Sequence, residues 1–150
     1  MSNLTPVIKS IQDIMRQDSG VDGDAQRISQ LTWLLFLKVF DALEEELELT
    51  RDHYQSPIPE AMRWRHWAAD PEGMTGEALL DFVDNQLFST LKSLSADPVR
   101  NPRGYVVRGV FEDAYNYMKS GHLLRQVVNK LNGIDFNRQA ERHQFNDLYE

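Results

Sequence analysis

Apolar residues recur at the spacing of an α-helix over most of the chain. Residues 4–17 show this pattern first, and a break rich in glycine and aspartate follows them. Residues 24–50 are then predicted to form one long helix, with Asp24 as its N-cap because a carboxylate can accept a hydrogen bond from a free backbone N–H. The middle of this helix, Leu31 to Phe40, is apolar on nearly every side. We therefore expect it to be buried at the centre of the fold.

The other segments are predicted to be helical or irregular. Residues 51–77 hold several prolines and glycines, so we expect irregular backbone there apart from a short helix around PEAMRWRHWAAD. Helices are predicted over GEALLDFVDNQLFSTLKSL, over YVVRGVFEDAYNYMKSG as far as Gly121, over HLLRQVVNKLNG, and from RQAERHQFNDLYE into the chain end, with SADPVRNPRG as a loop. The predicted fold class is all-α, with about five to seven helices packed around a central buried helix at about residues 24–50. Residues 1–150 would form a single helical domain.

The composition is that of a folded protein rather than a disordered one, since 41% of the 150 residues are hydrophobic. The chain has no cysteine, which excludes a disulfide framework and a cysteine-based zinc site. No secretory signal is visible at the start of the chain. The apolar run from Leu31 to Phe40 is interrupted by Thr32 and Lys38 and is shorter than the roughly 20 residues that span a bilayer. We therefore expect a cytoplasmic protein without membrane contact.

Charge is distributed unevenly. The whole chain carries a net charge of −7, but residues 92–134 hold seven lysines or arginines against three acidic residues. Such a segment can contact phosphate, or it can be a solvated face of mixed charge. In RWRHWA, Arg63 to Ala68, the tryptophans and arginines either stack on bases and grip phosphate or form an amphipathic helix with both tryptophans buried. The candidate contacts to DNA or a partner are Arg100, Arg103, Arg108, Arg125, Lys130, Arg63 and Arg65.

Catalytic and metal-binding patterns are not found. DSGVDGDAQRIS can be aligned with a calcium loop, but Gly20 and Ser29 replace required ligands, so a turn before a helix is the better interpretation. The four histidines lack metal-ligand spacing. The run from Glu44 to Glu46 is interpreted as a solvated helix face. No catalytic, cofactor-binding or metal-ligating residue is therefore predicted.

The segment DGDAQRISQLTWLLFLKVFDALEEELEL, Asp22 to Leu49, resembles the N-terminal helical domain of the modification subunit of type I restriction-modification systems. That subunit is an adenine-N6 DNA methyltransferase. The resemblance continues through VVRGVFEDAYNYMKSGHLLRQVVNKLNGIDFN and ERHQFNDLYE, so it covers about Asp22 to Glu150. It is specific, because polar positions match as well as apolar ones.

The catalytic motifs of that family do not match this chain. The family uses an Asn/Asp-Pro-Pro-Tyr/Phe motif for the flipped adenine and a glycine-rich loop after a strand for S-adenosylmethionine. The nearest string is NPRGY, Asn101 to Tyr105, which has Arg103 in place of the second proline and an extra residue before the aromatic. We therefore expect an N-terminal fragment of a longer chain, whose catalytic methyltransferase domain follows residue 150.

The resemblance implies an assembly of several subunits. Two modification subunits act with one specificity subunit, which reads the DNA sequence, and with a restriction subunit in the full complex. The N-terminal helical regions help to close the complex around double-stranded DNA, while the catalytic domains flip and methylate adenine with S-adenosylmethionine. The expected function is thus a non-catalytic assembly and DNA-clamping domain. The alternative is a stand-alone helical adaptor that binds protein and no DNA.

Overall fold

The structure, a computed structural model, describes residues 4–136, and all the regular structure within that range is helical. The elements are α1 (Leu4–Arg16), α2 (Asp24–Thr50), a 3-10 turn (Glu60–Met62), α3 (Trp64–Trp67), α4 (Gly76–Asp81), a turn of π-helix (Phe82–Leu87), α5 (Phe88–Lys92), α6 (Pro102–Glu112) and α7 (Gly121–Asn132). The all-α prediction is confirmed. The helix predicted from RQAERHQFNDLYE lies outside the described residues.

Helix α2 is buried at the centre, as its apolar middle predicts. Six large side chains in this stretch are buried: Leu31, Trp33, Leu34, Leu35, Leu37 and Phe40. Trp33 meets the ring of Phe88 edge-on at 4.8 Å and that of Phe111 at 6.2 Å, so it joins α2 to α5 and α6. Helices α3 and α7 also contact α2. Edge-to-face ring contacts of this kind add to the stability gained from apolar burial.

Helices α4 and α5 form one continuous helix with a turn of π-helix between them. Phe82 keeps helical angles, φ −59° and ψ −49°, where α4 ends. The leucine-rich face that the spacing predicts is buried, since Leu79, Val83, Leu87 and Leu91 are all inaccessible to solvent. The long helix predicted over this segment is therefore confirmed, with one wider turn inside it.

Helix α7 packs against α1 and α4. At the contact with α4, Gly121 lies so close to Gly76 that a Cβ atom on Gly121 would sit 1.8 Å from the carbonyl oxygen of Gly76. Gly76 itself has a φ of +60°, which favours glycine. Only a residue without a side chain fits at Gly121.

The start of α2 differs from the prediction by one residue. Gly23 occupies the N-cap position without a side-chain hydrogen bond, and Asp24 is the first helical residue. The Asp24 carboxylate forms an ion pair with Arg27 in the first turn. The negative charge of Asp24 at this position still interacts favourably with the positive, N-terminal end of the helix dipole.

Helix α6 begins earlier than predicted. The side chain of Asn101 accepts a hydrogen bond from the N–H of Gly104 at 3.1 Å, which caps the helix. Pro102 takes the first helical position, where its missing N–H removes no hydrogen bond. These two residues start α6 within the segment that was predicted to be a loop.

Helix α6 also ends nine residues before Gly121, so the predicted end is wrong. The N–H of Tyr117 donates to Gln30 Oε1 at 2.7 Å, and the N–H groups of Lys119 and Ser120 donate to the Asp18 carboxylate. These long-range bonds satisfy backbone groups that a helix would otherwise have paired. Gly121 therefore begins α7 instead of ending α6.

Candidate contact surface

Four positive side chains of the segment 92–134 follow one another from the end of α5, through the loop, into α6. They are Lys92, Arg100, Arg103 and Arg108, and we call them the basic edge. The loop between the helices is built on Asp97, whose Oδ1 accepts hydrogen bonds from the N–H groups of Val99 and Arg100. This turn leaves the side chain of Arg100 exposed. Lys92 is also exposed, with its ammonium 5.8 Å from the Phe88 ring centre.

Arg108 lies partly buried at the same edge. Its Nη1 donates to the carbonyl oxygen of Leu94 at 3.1 Å, which ties α6 to the end of the preceding helix. The guanidinium also lies 5.6 Å from the ring centre of the exposed Tyr105 and 3.7 Å from Glu112. Arg108 is therefore held in place, with 28% of its side chain still open to solvent.

Arg103 is bound inside the fold more than at its surface. Its Nε donates to the Tyr54 hydroxyl at 3.0 Å, and that hydroxyl donates to Glu44 Oε2 at 2.9 Å. The guanidinium stacks on the Phe40 ring at 4.5 Å. Burial and the neighbouring Glu44 raise the pKa of Tyr54, which keeps it protonated as the donor to Glu44.

Glu44 itself corrects one expectation. It was predicted to lie on a solvated face, but only 1% of the residue is exposed. Its neighbour Glu45 is exposed, as predicted. The chain of bonds from Glu44 to Arg103 explains the difference, because a buried carboxylate is tolerated where it is hydrogen-bonded.

Arg125 is buried, with 5% of the residue exposed. Its guanidinium donates to four backbone carbonyl oxygens, those of Trp67, Ala68, Asp70 and Met74. Burial lowers the pKa of Arg125, but the group stays positively charged. This side chain fastens the irregular segment after α3 to α7 and has no surface left for a ligand.

The arginines of RWRHWA are also engaged within the chain. The Nε of Arg63 donates to the Ile58 carbonyl oxygen at 2.9 Å. Arg65 forms ion pairs with Asp41 at 2.9 Å and Glu48 at 2.8 Å. Burial disfavours the charge of Arg65, but the hydrogen bonds that it donates to Glu48 and Asp41 outweigh this effect and raise the pKa of Arg65.

The tryptophans of the same segment decide between its two interpretations. Trp64 and Trp67 are 2% and 4% exposed, so RWRHWA is an amphipathic segment and not a stacking platform for bases. Lys130, on α7, is exposed. Among the sequence-predicted contacts, Arg100 and Lys130 are thus the most accessible. Lys92 is also exposed, but it was not among the predicted contacts. Charge along the sequence does not indicate which cations are exposed, so it could not single out Lys92.

The structure gives roles to the two motifs that resembled chemical sites. Asp18, in the calcium-like segment, is buried and accepts hydrogen bonds from the backbone N–H groups of Gly20, Lys119 and Ser120. Asn101, at the start of NPRGY, is the cap of α6. Within residues 4–136, no group of three His, Cys, Asp or Glu side chains is placed to hold a metal ion. No helix in that range is long and apolar enough to cross a membrane.

Comparisons with known proteins agree with the resemblance seen in the sequence. Residues 4–131 match the family described as the HsdM N-terminal domain. The methylase subunit of the type I restriction enzyme EcoEI from Escherichia coli is 64% identical over 148 residues, which make up 99% of this chain and 30% of that protein.

Two solved structures share the fold. A chain from Vibrio vulnificus YJ016, described as a modification subunit of a type I restriction enzyme, superposes with a TM-score of 0.86 at 39% identity, over 97% of this chain and 33% of that chain. A second, from work on the complex assembly and conformational transition of the type I R-M system, has a TM-score of 0.83 at 33% identity, over 97% and 28%. The chain thus spans about a third of the length of these relatives.

Proposed function

The chain belongs to the family of HsdM N-terminal domains, and on this premise we propose that it is the assembly and DNA-clamping domain of a type I restriction-modification DNA adenine-N6 methyltransferase. The proposed parent chain continues beyond residue 150 into the catalytic domain. The greater length of the related proteins supports this part of the proposal.

The basic edge carries the DNA-clamping part of the proposal. It has four positive side chains on a protein whose net charge is −7, and of these only Arg103 is bound mainly inside the fold, by Tyr54 and Phe40. Arg100 and Lys92 extend into solvent, while Arg108 is held beside them. Lysine and arginine contacts to phosphate give affinity without reading bases. This suits a clamp that works beside another subunit, which reads the DNA sequence.

Catalysis belongs to the remainder of the proposed parent chain. The described residues do not fit S-adenosylmethionine, because within 4–136 no strand leads into a glycine-rich loop. When bound to the catalytic domain, this cofactor supplies the methyl group. The role of the present residues is to hold the duplex while a base is extruded, a step that breaks stacking and costs a few kcal/mol.

The proposed partners are the specificity subunit, a second modification subunit and, in the full complex, the restriction subunit, together with double-stranded DNA. The relative described in the context of complex assembly of the type I R-M system supports a role within a complex. The runner-up function, a helical adaptor that binds protein alone, shares the fold but needs no basic edge.

Charge reversal at the basic edge tests the proposal. We expect the double variant K92E/R100E to bind a generic duplex at least about tenfold more weakly, and to lower the slope of log affinity against log salt by about 0.9 for each phosphate that is no longer neutralised. Fluorescence anisotropy at several salt concentrations measures both quantities, on the 150-residue chain and on the complete subunit. Arg103 is left intact because its bonds to the core would confound the result.

The matched control is K9E/R51E, which reverses two exposed cations outside the basic edge, one on α1 and one just after the end of α2, and so changes the net charge by the same amount. It should leave the salt slope close to that of the unmodified protein. Equal binding by K92E/R100E and the unmodified protein would remove the basic edge as the DNA contact. Absence of DNA binding at low salt by every form, with the specificity subunit still bound, would favour the adaptor.

A further inference from the structure

The loop that joins α5 to α6 presents two neighbouring apolar side chains to solvent. Pro98 and Val99 are both exposed, and Val99 is 88% exposed although valine is among the residue types most often buried. We call this pair the Pro98–Val99 tip. The next residue, Arg100, is also exposed and belongs to the basic edge. Apolar and positively charged side chains therefore lie next to each other at the outer end of one loop.

The backbone beneath the tip is a closed turn. The carbonyl oxygen of Asp97 accepts a hydrogen bond from the N–H of Asn101 at 3.1 Å. The carboxylate of Asp97 accepts two more, from the N–H groups of Val99 at 2.8 Å and Arg100 at 2.7 Å. Aspartate followed by proline favours such a turn, because the carboxylate can bond to the following backbone and the proline ring fixes φ. The negative charge of Asp97 is thus directed into the turn that carries the tip.

The turn is also anchored to α6 and to the end of α5. Asn101 caps α6 by accepting a hydrogen bond from the N–H of Gly104. A Cβ atom on Gly104 would lie only 3.1 Å from the Cβ of Ala96, so the chain before the turn packs directly on the start of α6. Arg108 adds a bond to the carbonyl oxygen of Leu94. The loop is therefore ordered before any partner binds, which lowers the entropic cost of binding.

The charge around the tip indicates which partner fits it. From Lys92 to Arg103, three positive residues lie against one acidic residue, the internally bonded Asp97. Leu49, on the last turn of α2, is equally exposed at 88%, but the glutamates that precede it would repel phosphate. A single exposed apolar residue of that kind is ordinary. An apolar tip between cations instead suits duplex DNA, which has phosphates outside and apolar base faces inside.

We propose that the Pro98–Val99 tip is a wedge that enters the minor groove of DNA and partly unstacks one base step, with Arg100 in the groove beside it. The inference rests on the proposed function, because it requires the basic edge to meet DNA. The minor groove is about 6 Å wide, which admits the tip of a turn but no helix. Apolar side chains inserted from this groove, proline among them, unstack base steps and kink the duplex. Arginine is attracted by the negative potential of a narrow minor groove.

A wedge gives the clamp a property that phosphate contacts alone do not supply. Cations bind the duplex whatever its sequence, whereas the free energy needed to unstack a step depends on the bases in it. Pyrimidine–purine steps such as TA open most readily. The tip therefore gives the domain a preference for deformable DNA without any hydrogen bond to a base.

Fluorescence of 2-aminopurine, which rises when this base analogue is unstacked, tests the wedge. The complete subunit, assembled with the specificity subunit, is bound to duplexes that carry one 2-aminopurine at successive positions away from the target adenine. We expect the fluorescence to rise at one step. V99S should lose this rise and keep the salt slope of DNA binding, because the phosphate contacts remain. V99I keeps an apolar side chain at the tip and should retain the rise.

The matched control is L49S, which removes an equally exposed apolar side chain far from the basic edge in sequence and should retain the rise. Equal fluorescence of the complexes formed by V99S and the unmodified protein, or no rise in either, would overturn the wedge. Weaker association of V99S with the specificity subunit, with base stacking unchanged, would overturn it in favour of a protein contact at the tip.

Sequence preference gives a second readout. Two duplexes differ only at the step where 2-aminopurine fluorescence rises, which is TA in one and AA in the other. The unmodified protein should bind the TA duplex more tightly, and V99S should lose this preference, as measured by competition in fluorescence anisotropy. The same preference in both proteins would contradict insertion of Val99.

Failure of the wedge can be distinguished from failure of the proposed function. K92E/R100E reports affinity and salt slope, whereas V99S reports base stacking. DNA binding that K92E/R100E weakens, with no effect of V99S on stacking, would remove the wedge and leave the clamp. Absence of DNA binding by the unmodified protein would remove both.

Discussion

At the scale of single residues, the arginines differ in what their guanidinium groups bind. Arg100 extends into solvent from a turn held by Asp97, whereas Arg125 is enclosed by backbone carbonyl oxygens. Sequence reasoning grouped the two because both are positive and both lie in the same segment. The carbonyls that surround Arg125 come from residues 67–74, more than 50 positions away, so no local pattern could reveal them.

Substitution of Arg125 separates a structural role from a contact role. R125M removes one donor from four carbonyl oxygens, of which those of Ala68 and Asp70 keep a second donor, so we expect it to lower the free energy of unfolding by about 2–4 kcal/mol. Urea unfolding followed by circular dichroism measures the change. R100M, a matched change at an exposed site, should lie within about 0.5 kcal/mol of the unmodified protein. Weaker DNA binding by R125M at unchanged stability would return Arg125 to the set of contacts.

At the scale of elements, the apolar pattern predicted the helices whose packing is regular. The spacing of apolar residues in the sequence identified α1, α2, α7 and the continuous helix formed by α4 and α5. The end of α6 could not be predicted in this way, because VFEDAYNYM continues a helical pattern. There, hydrogen bonds that the backbone N–H groups between α6 and α7 donate to Asp18 and Gln30 override the local preference. Propensity yields to tertiary contacts of this kind.

Two glycine substitutions test the packing of elements. G121A should lower the free energy of unfolding by about 1–3 kcal/mol or more, because its methyl group would force α7 away from Gly76. G109A makes the same chemical change in open space on α6 and should raise the free energy of unfolding by up to about 1 kcal/mol. Thermal and urea unfolding of both variants measure the difference. Equal effects of the two changes would show that the α4–α7 contact is not tight.

At the scale of the whole molecule, the sequence predicted the fold class and the family but not the arrangement of its surfaces. The resemblance rested on polar as well as apolar positions, and the comparisons confirm the family that it indicated. Charge counting located the positive segment, yet it could not distinguish exposed cations from buried ones. Thr32 and Val110, which are about 80 positions apart in the sequence, line one groove between α2 and α6, so only the folded chain brings them together.

The described residues contain their own core, and truncation tests its limit. A chain that ends after Phe136 should unfold in one cooperative transition. A chain that ends after Gly133 loses Ile134 and Phe136, each 2% exposed, and should be about 3–5 kcal/mol less stable. Thermal unfolding followed by circular dichroism compares the two. Non-cooperative unfolding of the longer form would mean that later residues complete the core.

The uninterrupted length of α2 has a mechanical consequence. Its 27 residues extend roughly 40 Å without a break. Ser29 and Thr32, near its start, border the end of α6, and Ile134 and Phe136 lie beside Lys38 and Glu45 further along. Because α2 is one uninterrupted helix packed against its neighbours, we expect it to move as a single rigid element. A push delivered at one end displaces the other as part of the same rigid body, with no intervening hinge to absorb it.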